Sequence, residues 1–214
     1  MDSIISFGDA SAILTHIRVT GSHEADSLAA EYDALCRLMP DRPHRILAFE
    51  VPDWNRDLSP WHADAVYGDT PFGGEADKTL GKLLALLPKD GTKTALVGYS
   101  LAGLFALWAA YETDAFDGAA AVSPSVWFPS FAGYADTHDI RCGAVYLSLG
   151  KKEEKVRHPI LQTVGDALRA EYERLEAKGV PCTLEWNEGN HFNDCTGRVV
   201  KGMVWLENTL ITEV

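Results

Sequence analysis

Cysteine is scarce in this 214-residue chain, and Cys36, Cys142, Cys182 and Cys195 form no CxxC pair and show no zinc spacing. A disulfide-stapled scaffold and a structural zinc site are thereby excluded, and four reduced, mostly buried thiols are expected. Positive charge is also short, with 19 Lys and Arg against 31 Asp and Glu, a net charge of −12. A surface so negative repels phosphate backbones, which argues against nucleic acid as a partner. No run of about 18 apolar residues occurs, so no membrane-spanning helix is predicted. The opening MDSIISFGDA lacks the basic and apolar regions of a secretion signal, and the expected location is the cytoplasm. There is no HExxH and no histidine pair at ligand spacing, so neither a metal nor another cofactor is expected. Internal repeats, low-complexity tracts and linkers are missing too.

What is present reads as one globular domain spanning residues 1–214. Hydrophobic residues make up 46% and charged residues 23%, which argues against disorder. Short apolar runs rich in β-branched residues at 12–19, 45–51, 94–99, 118–122, 144–149 and 182–186 predict strands. Helical patterns lie between them at 23–39, 77–87, 101–112, 159–178 and 196–208. The first carries Leu28, Tyr32, Leu35 and Leu38 in one stripe. The third, LAGLFALWAAYE, is apolar nearly all round and predicts a buried helix. Strands alternating with helices mean βαβ units. The expected fold is therefore α/β, a three-layer α/β/α sandwich with a mostly parallel central sheet. Two connections, 52–72 and 123–137, break the alternation and are rich in Pro, Trp and Phe. Loops of that length are usually functional, and both leave strand ends where a parallel sheet places its ligand crevice.

The sharpest local pattern is KTALVGYSLAG at 93–103, a strand, a tight turn carrying Ser100, and a helix. Small neighbours allow the strained turn that presents a serine as a nucleophile; Ala102 stands where the last glycine of G-x-S-x-G would be. Such an elbow predicts an acid and then a histidine later in the chain. Of seven histidines, His191 alone follows a late strand, 91 residues after Ser100, in EWNEGNHF. The acid is expected after AVYLSLG, where KKEEK offers Glu153 and Glu154; Glu153, nearer the strand end, is preferred. A carboxylate there would orient the imidazole and stabilise the imidazolium. Asp194 and Glu188 lie on the wrong loop. The oxyanion donors are expected to be the backbone N–H groups of Leu101 and of Gly21, in the loop after ILTHIRV. Trp54, Trp61 and Trp127 on the irregular connections, together with Tyr99 beside the nucleophile, are candidate substrate contacts. Packing is an equally open role for Trp54 and Trp61, whereas Trp108 and Trp205 read as core.

Taken together, DWNRDLSPW, GYSLAGLFALWAAY, SPSVWFP, VYLSLGKKEEKVRHP and EWNEGNHF resemble the esterase branch of the α/β-hydrolases that includes esterase D and the trilactone siderophore esterases. The resemblance covers nearly the whole chain. It implies an α/β-hydrolase fold and hydrolysis of a small-molecule carboxylic ester, with Ser100, His191 and Glu153 in the matched positions. Hydrolysis of a thioester or amide, and a non-catalytic binding role on the same fold, are the competing expectations. The aromatic loops also leave a homodimer open.

Overall fold

The computed structural model describes residues 3–66 and 68–211. Its elements are β1 (Ser3–Gly8), β2 (Leu14–Gly21), α1 (Leu28–Leu38), β3 (Arg45–Val51), α2 (Trp54–Leu58), β4 (His62–Ala63), β5 (Phe72–Gly73), α3 (Ala76–Leu86), β6 (Lys93–Tyr99), α4 (Leu101–Glu112), β7 (Gly118–Val122), α5 (Phe131–Thr137), β8 (Ala144–Gly150), α6 (Val164–Ala177), β9 (Cys182–Asn187) and α7 (Cys195–Leu210). The main sheet has seven strands in the order β1-β3-β2-β6-β7-β8-β9. β1 runs antiparallel to β3 at one edge, and every other pairing in that sheet is parallel.

Each face of the sheet buries its own core, as parallel strands require. On one face, Leu35 of α1 and Val199, Val200, Met203 and Leu206 of α7 pack on Ile46, Ala95, Val97, Ala120 and Tyr146. On the other, Leu58, Leu83, Leu101, Leu104, Phe105, Phe131 and Leu168, from helices α2 to α6, cover Ile17, Phe49, Leu96, Ala119 and Leu147. The α/β/α layering expected from the alternation is therefore present. α4 is buried from Leu101 to Tyr111, in keeping with its uniformly apolar sequence.

Buried ionic groups fasten the first face. The fully buried Arg18 of β2 donates to Glu31 of α1, with Nε 3.1 Å from Oε2, and to Glu24 in the preceding 3-10 turn at 3.0 Å. His16 Nε2 and His44 Nδ1 both meet Oε1 of Glu207 on α7, at 3.1 and 2.8 Å. Burial alone would push the Glu207 carboxyl up, and the two histidines hold it below the usual carboxylate range.

Several elements depart from the sequence pattern. The connection at 52–72 contains the one-and-a-half-turn α2, capped by Asp53, which accepts from the Arg56 N–H at 2.9 Å, and the two-stranded ribbon β4–β5. The connection at 123–137 ends in α5. Elements this short hold too few residues to display a period, and packing stabilises them instead. The helices expected from 23 and from 159 begin as 3-10 turns and become α-helical at Leu28 and Val164. The cysteines carry no disulfide, but only Cys142 is fully buried; Cys36, Cys182 and Cys195 are half-buried. No helix among the described residues is long and apolar enough to cross a membrane.

β6 and α4 cross so closely that a Cβ at Gly98 would overlap the Ala102 carbonyl. Gly98→Ala is therefore expected to destabilise the protein by about 1–3 kcal/mol, as overpacking does, measured by urea unfolding.

Candidate active site

Sheet register brings the site together. Tyr99 lies opposite Val122, Val122 opposite Ser148, and Gly150 opposite Asn187. The segments leaving β6, β7, β8 and β9 thus emerge side by side at one edge. Ser100 follows β6 with φ 59° and ψ −119°, a backbone geometry costly for a residue with a Cβ. Its conformation is held from both sides: its N–H donates to Val122 O and its carbonyl accepts from the Ser125 and Leu104 N–H groups, each at 3.0 Å.

Ser100 Oγ lies 3.0 Å from His191 Nε2, and His191 Nδ1 lies 2.7 Å from Glu153 Oε2. The structure brings these three expected residues into one hydrogen-bonded chain. Glu154 points elsewhere, its Oε2 accepting from Arg169 at 2.7 and 3.0 Å. Glu153 sits in the 3-10 turn after β8 and is 6% exposed. Its second oxygen, Oε1, accepts from the Gly150 N–H at 2.7 Å, from Ser123 Oγ at 2.8 Å and from Arg198 Nη1 at 2.9 Å. Burial would push this carboxyl up, and His191, with the Gly150 N–H and Ser123, holds it below the usual carboxylate range. An ionised Glu153 can only accept, so His191 presents Nδ1–H to it and leaves Nε2 free to accept the Ser100 proton.

Arg198, in the first turns of α7 and fully buried, had no signature in the sequence beyond being an arginine on a predicted helix. Besides Glu153, its guanidinium reaches Ser123 Oγ at 3.2 Å and Tyr99 OH at 3.4 Å. It also reaches the Glu188 and Asn190 carbonyls at 2.8 and 3.0 Å. One planar group thereby anchors Glu153 and the loop that carries His191. Ser123, with φ 44°, was likewise visible only as part of an SPS motif.

The oxyanion candidates stand at the ends of neighbouring strands. Leu101 is the first residue of α4, where helix N–H groups have no intrahelical partner. Val19 pairs with Gly98, which sets Gly21 level with Ser100. A Cβ on Gly21 would lie 2.9 Å from His23 and from Trp54.

A cavity of about 450 Å³ opens at Ser100 and His191, walled by Trp127, Val156, Leu161, Val164 and Phe192. Trp127 is the single member of the four expected substrate contacts that lines it. Tyr99 is buried and donates from its OH to the His191 carbonyl at 2.6 Å, a donor kept protonated because burial raises the phenol. Trp61 donates to Pro129 O at 2.9 Å and packs on Phe128 and Tyr134, a structural role. Trp54 meets His23 edge-on beside Gly21 and is not among the residues that line the cavity. These three side chains are occupied by loop anchoring or packing, and alternation along the chain gave no means of assigning that.

No protein-family model matches the sequence, and no curated protein matches it. Solved structures do. A siderophore hydrolase, EstA from Aspergillus nidulans, superposes with a TM-score of 0.73 at 20% identity, over 98% of this chain and 91% of that one. The fold is that of an α/β-hydrolase. The enterobactin esterase FES from Shigella flexneri gives 0.71 at 18% identity, over 98% of this chain and 55% of its own length. A ferulic acid esterase gives 0.60 at 13% identity, over 95% and 96%. The chain therefore shares its architecture with much longer and similarly sized proteins alike.

Two outcomes are expected. Arg198→Met leaves the Glu153 charge buried without its cation and should cost about 3–5 kcal/mol of unfolding free energy, read from denaturant titration. Because the fold lowers the pKa of Glu153, its ionised form stabilises the native state above the unfolded value of about 4.3. That contribution is lost as pH falls through the lower folded value. The stability gap between wild type and Glu153→Gln should accordingly narrow on acidification from pH 6 to pH 3, followed by thermal melting.

Proposed function

We propose that the protein is a serine hydrolase of small-molecule carboxylic esters. The observation that carries the reading is the Ser100–His191–Glu153 hydrogen-bonded chain at 3.0 and 2.7 Å, set on a strained strand-to-helix turn at a cavity floor. The similarity to a siderophore hydrolase, an enterobactin esterase and a ferulic acid esterase supports ester hydrolysis as the reaction.

In this mechanism His191 Nε2 takes the Ser100 proton as Oγ attacks the ester carbonyl carbon. The resulting oxyanion is held by the backbone N–H groups of Leu101 and Gly21, donors worth about 10²–10³-fold each in comparable sites. Glu153 remains ionised and stabilises the imidazolium. As the tetrahedral intermediate collapses, His191 protonates the leaving alcohol oxygen, and an acyl group remains on Ser100. Water, activated by the same imidazole, then releases the acid. The chemistry needs no metal or other cofactor, and the enzyme would act in the cytoplasm.

Wild-type protein should hydrolyse p-nitrophenyl acetate and be labelled at Ser100 by a fluorophosphonate. Ser100→Ala and His191→Ala should each lower kcat/KM by about 10³-fold or more, and the double variant should be no worse than either. Hydrolysis retained by Ser100→Ala would refute the reading. A higher kcat/KM for the matched thioester would move it to another acyl bond.

A further inference from the structure

Apart from Glu153 and His191, which are engaged with each other, no residue lining the cavity carries a charge. Lys155 and Arg157, on either side of Val156, are exposed and do not line it. No lysine or arginine in the lining could pair with a negatively charged ligand, and the chain as a whole carries net −12.

The cavity mouth, by contrast, leaves apolar groups in water. Phe192 is 84% exposed and Val156 39% exposed, and both line the cavity. Phe192 is also held in place. Its N–H donates to Asn190 Oδ1 at 2.9 Å, and its ring meets His191 at right angles with centroids 5.3 Å apart. An aromatic side chain fixed in that position gains apolar contact when a ligand covers it.

Which part of an ester would do so follows from the proton path. His191 must protonate the leaving oxygen, so the alcohol branch departs beside the imidazole, and Phe192 is the lining aromatic whose ring meets that imidazole. We infer that the site selects esters of uncharged, apolar alcohols, with Phe192 and Val156 contacting the alcohol branch. This inference rests on the serine-hydrolase reading above.

Alkyl acetates test it, because the acyl group stays constant and only the alcohol varies. Acid release should give a kcat/KM for hexyl acetate about tenfold above that for ethyl acetate. It should be at least about tenfold above that for 6-acetoxyhexanoate, in which a carboxylate replaces the terminal methyl of the same six-carbon chain. Phe192→Ala should reduce the hexyl-to-ethyl ratio to about threefold or less, without a change in melting temperature, since the ring is mostly exposed. Equal rates for all three esters, or an unaltered ratio in Phe192→Ala, would overturn the inference and leave the serine hydrolase standing. So would fluorophosphonate labelling of Ser100 with no alkyl acetate hydrolysed. Failure of both labelling and hydrolysis would overturn the two together.

Discussion

The arrangement turns on how closely β6 and α4 pack around Ser100. Gly98 leaves no room for a Cβ against the Ala102 carbonyl, and Gly103 would place one 3.0 Å from Val122 O. The helix can descend onto the sheet this tightly because it is apolar on every side and lies in the core from Leu101 onward. Ser100 is thereby forced into a backbone geometry that its neighbours must sustain. They do so through bonds to Val122 and Ser125, the same segment that supplies Ser123. Ser100 thus stands at the turn between β6 and α4, beside a helix start whose first N–H groups have no intrahelical acceptor.

Opposite the nucleophile the constraint is electrostatic. A carboxylate 6% exposed needs compensation for lost water, and Glu153 receives it on both oxygens. The division is orderly: one oxygen faces the imidazole, and the other is saturated by the Gly150 N–H, Ser123 and Arg198. Arg198 and Tyr99 also grip the backbone of the His191 loop through the Glu188, Asn190 and His191 carbonyls. Glu153 and His191 are consequently located by one buried network. The cavity wall beyond it is mainly apolar.

Much of the fold was legible in the sequence because short apolar runs rich in β-branched residues are local properties. All six expected strands exist, as does the buried helix after Ser100. The short α2, α5 and the β4–β5 ribbon were not legible, since packing rather than pattern sustains them. Aromatic content drew attention to both connections, yet it did not separate Trp127, which lines the cavity, from Trp61, which donates to the Pro129 carbonyl.

The sequence by itself determined the α/β alternation, the tight turn at Ser100 and the chain order that singled out His191. Each follows from residue type and spacing along one segment. Only the tertiary structure decided that Glu153 rather than Glu154 faces His191, that Tyr99 anchors a loop, and that Arg198 on α7 belongs to the site. Those outcomes depend on strand register and on the direction in which each side chain leaves its backbone. Both are set by contacts between residues as much as 99 positions apart, as for Arg198 and Tyr99, which no local pattern records.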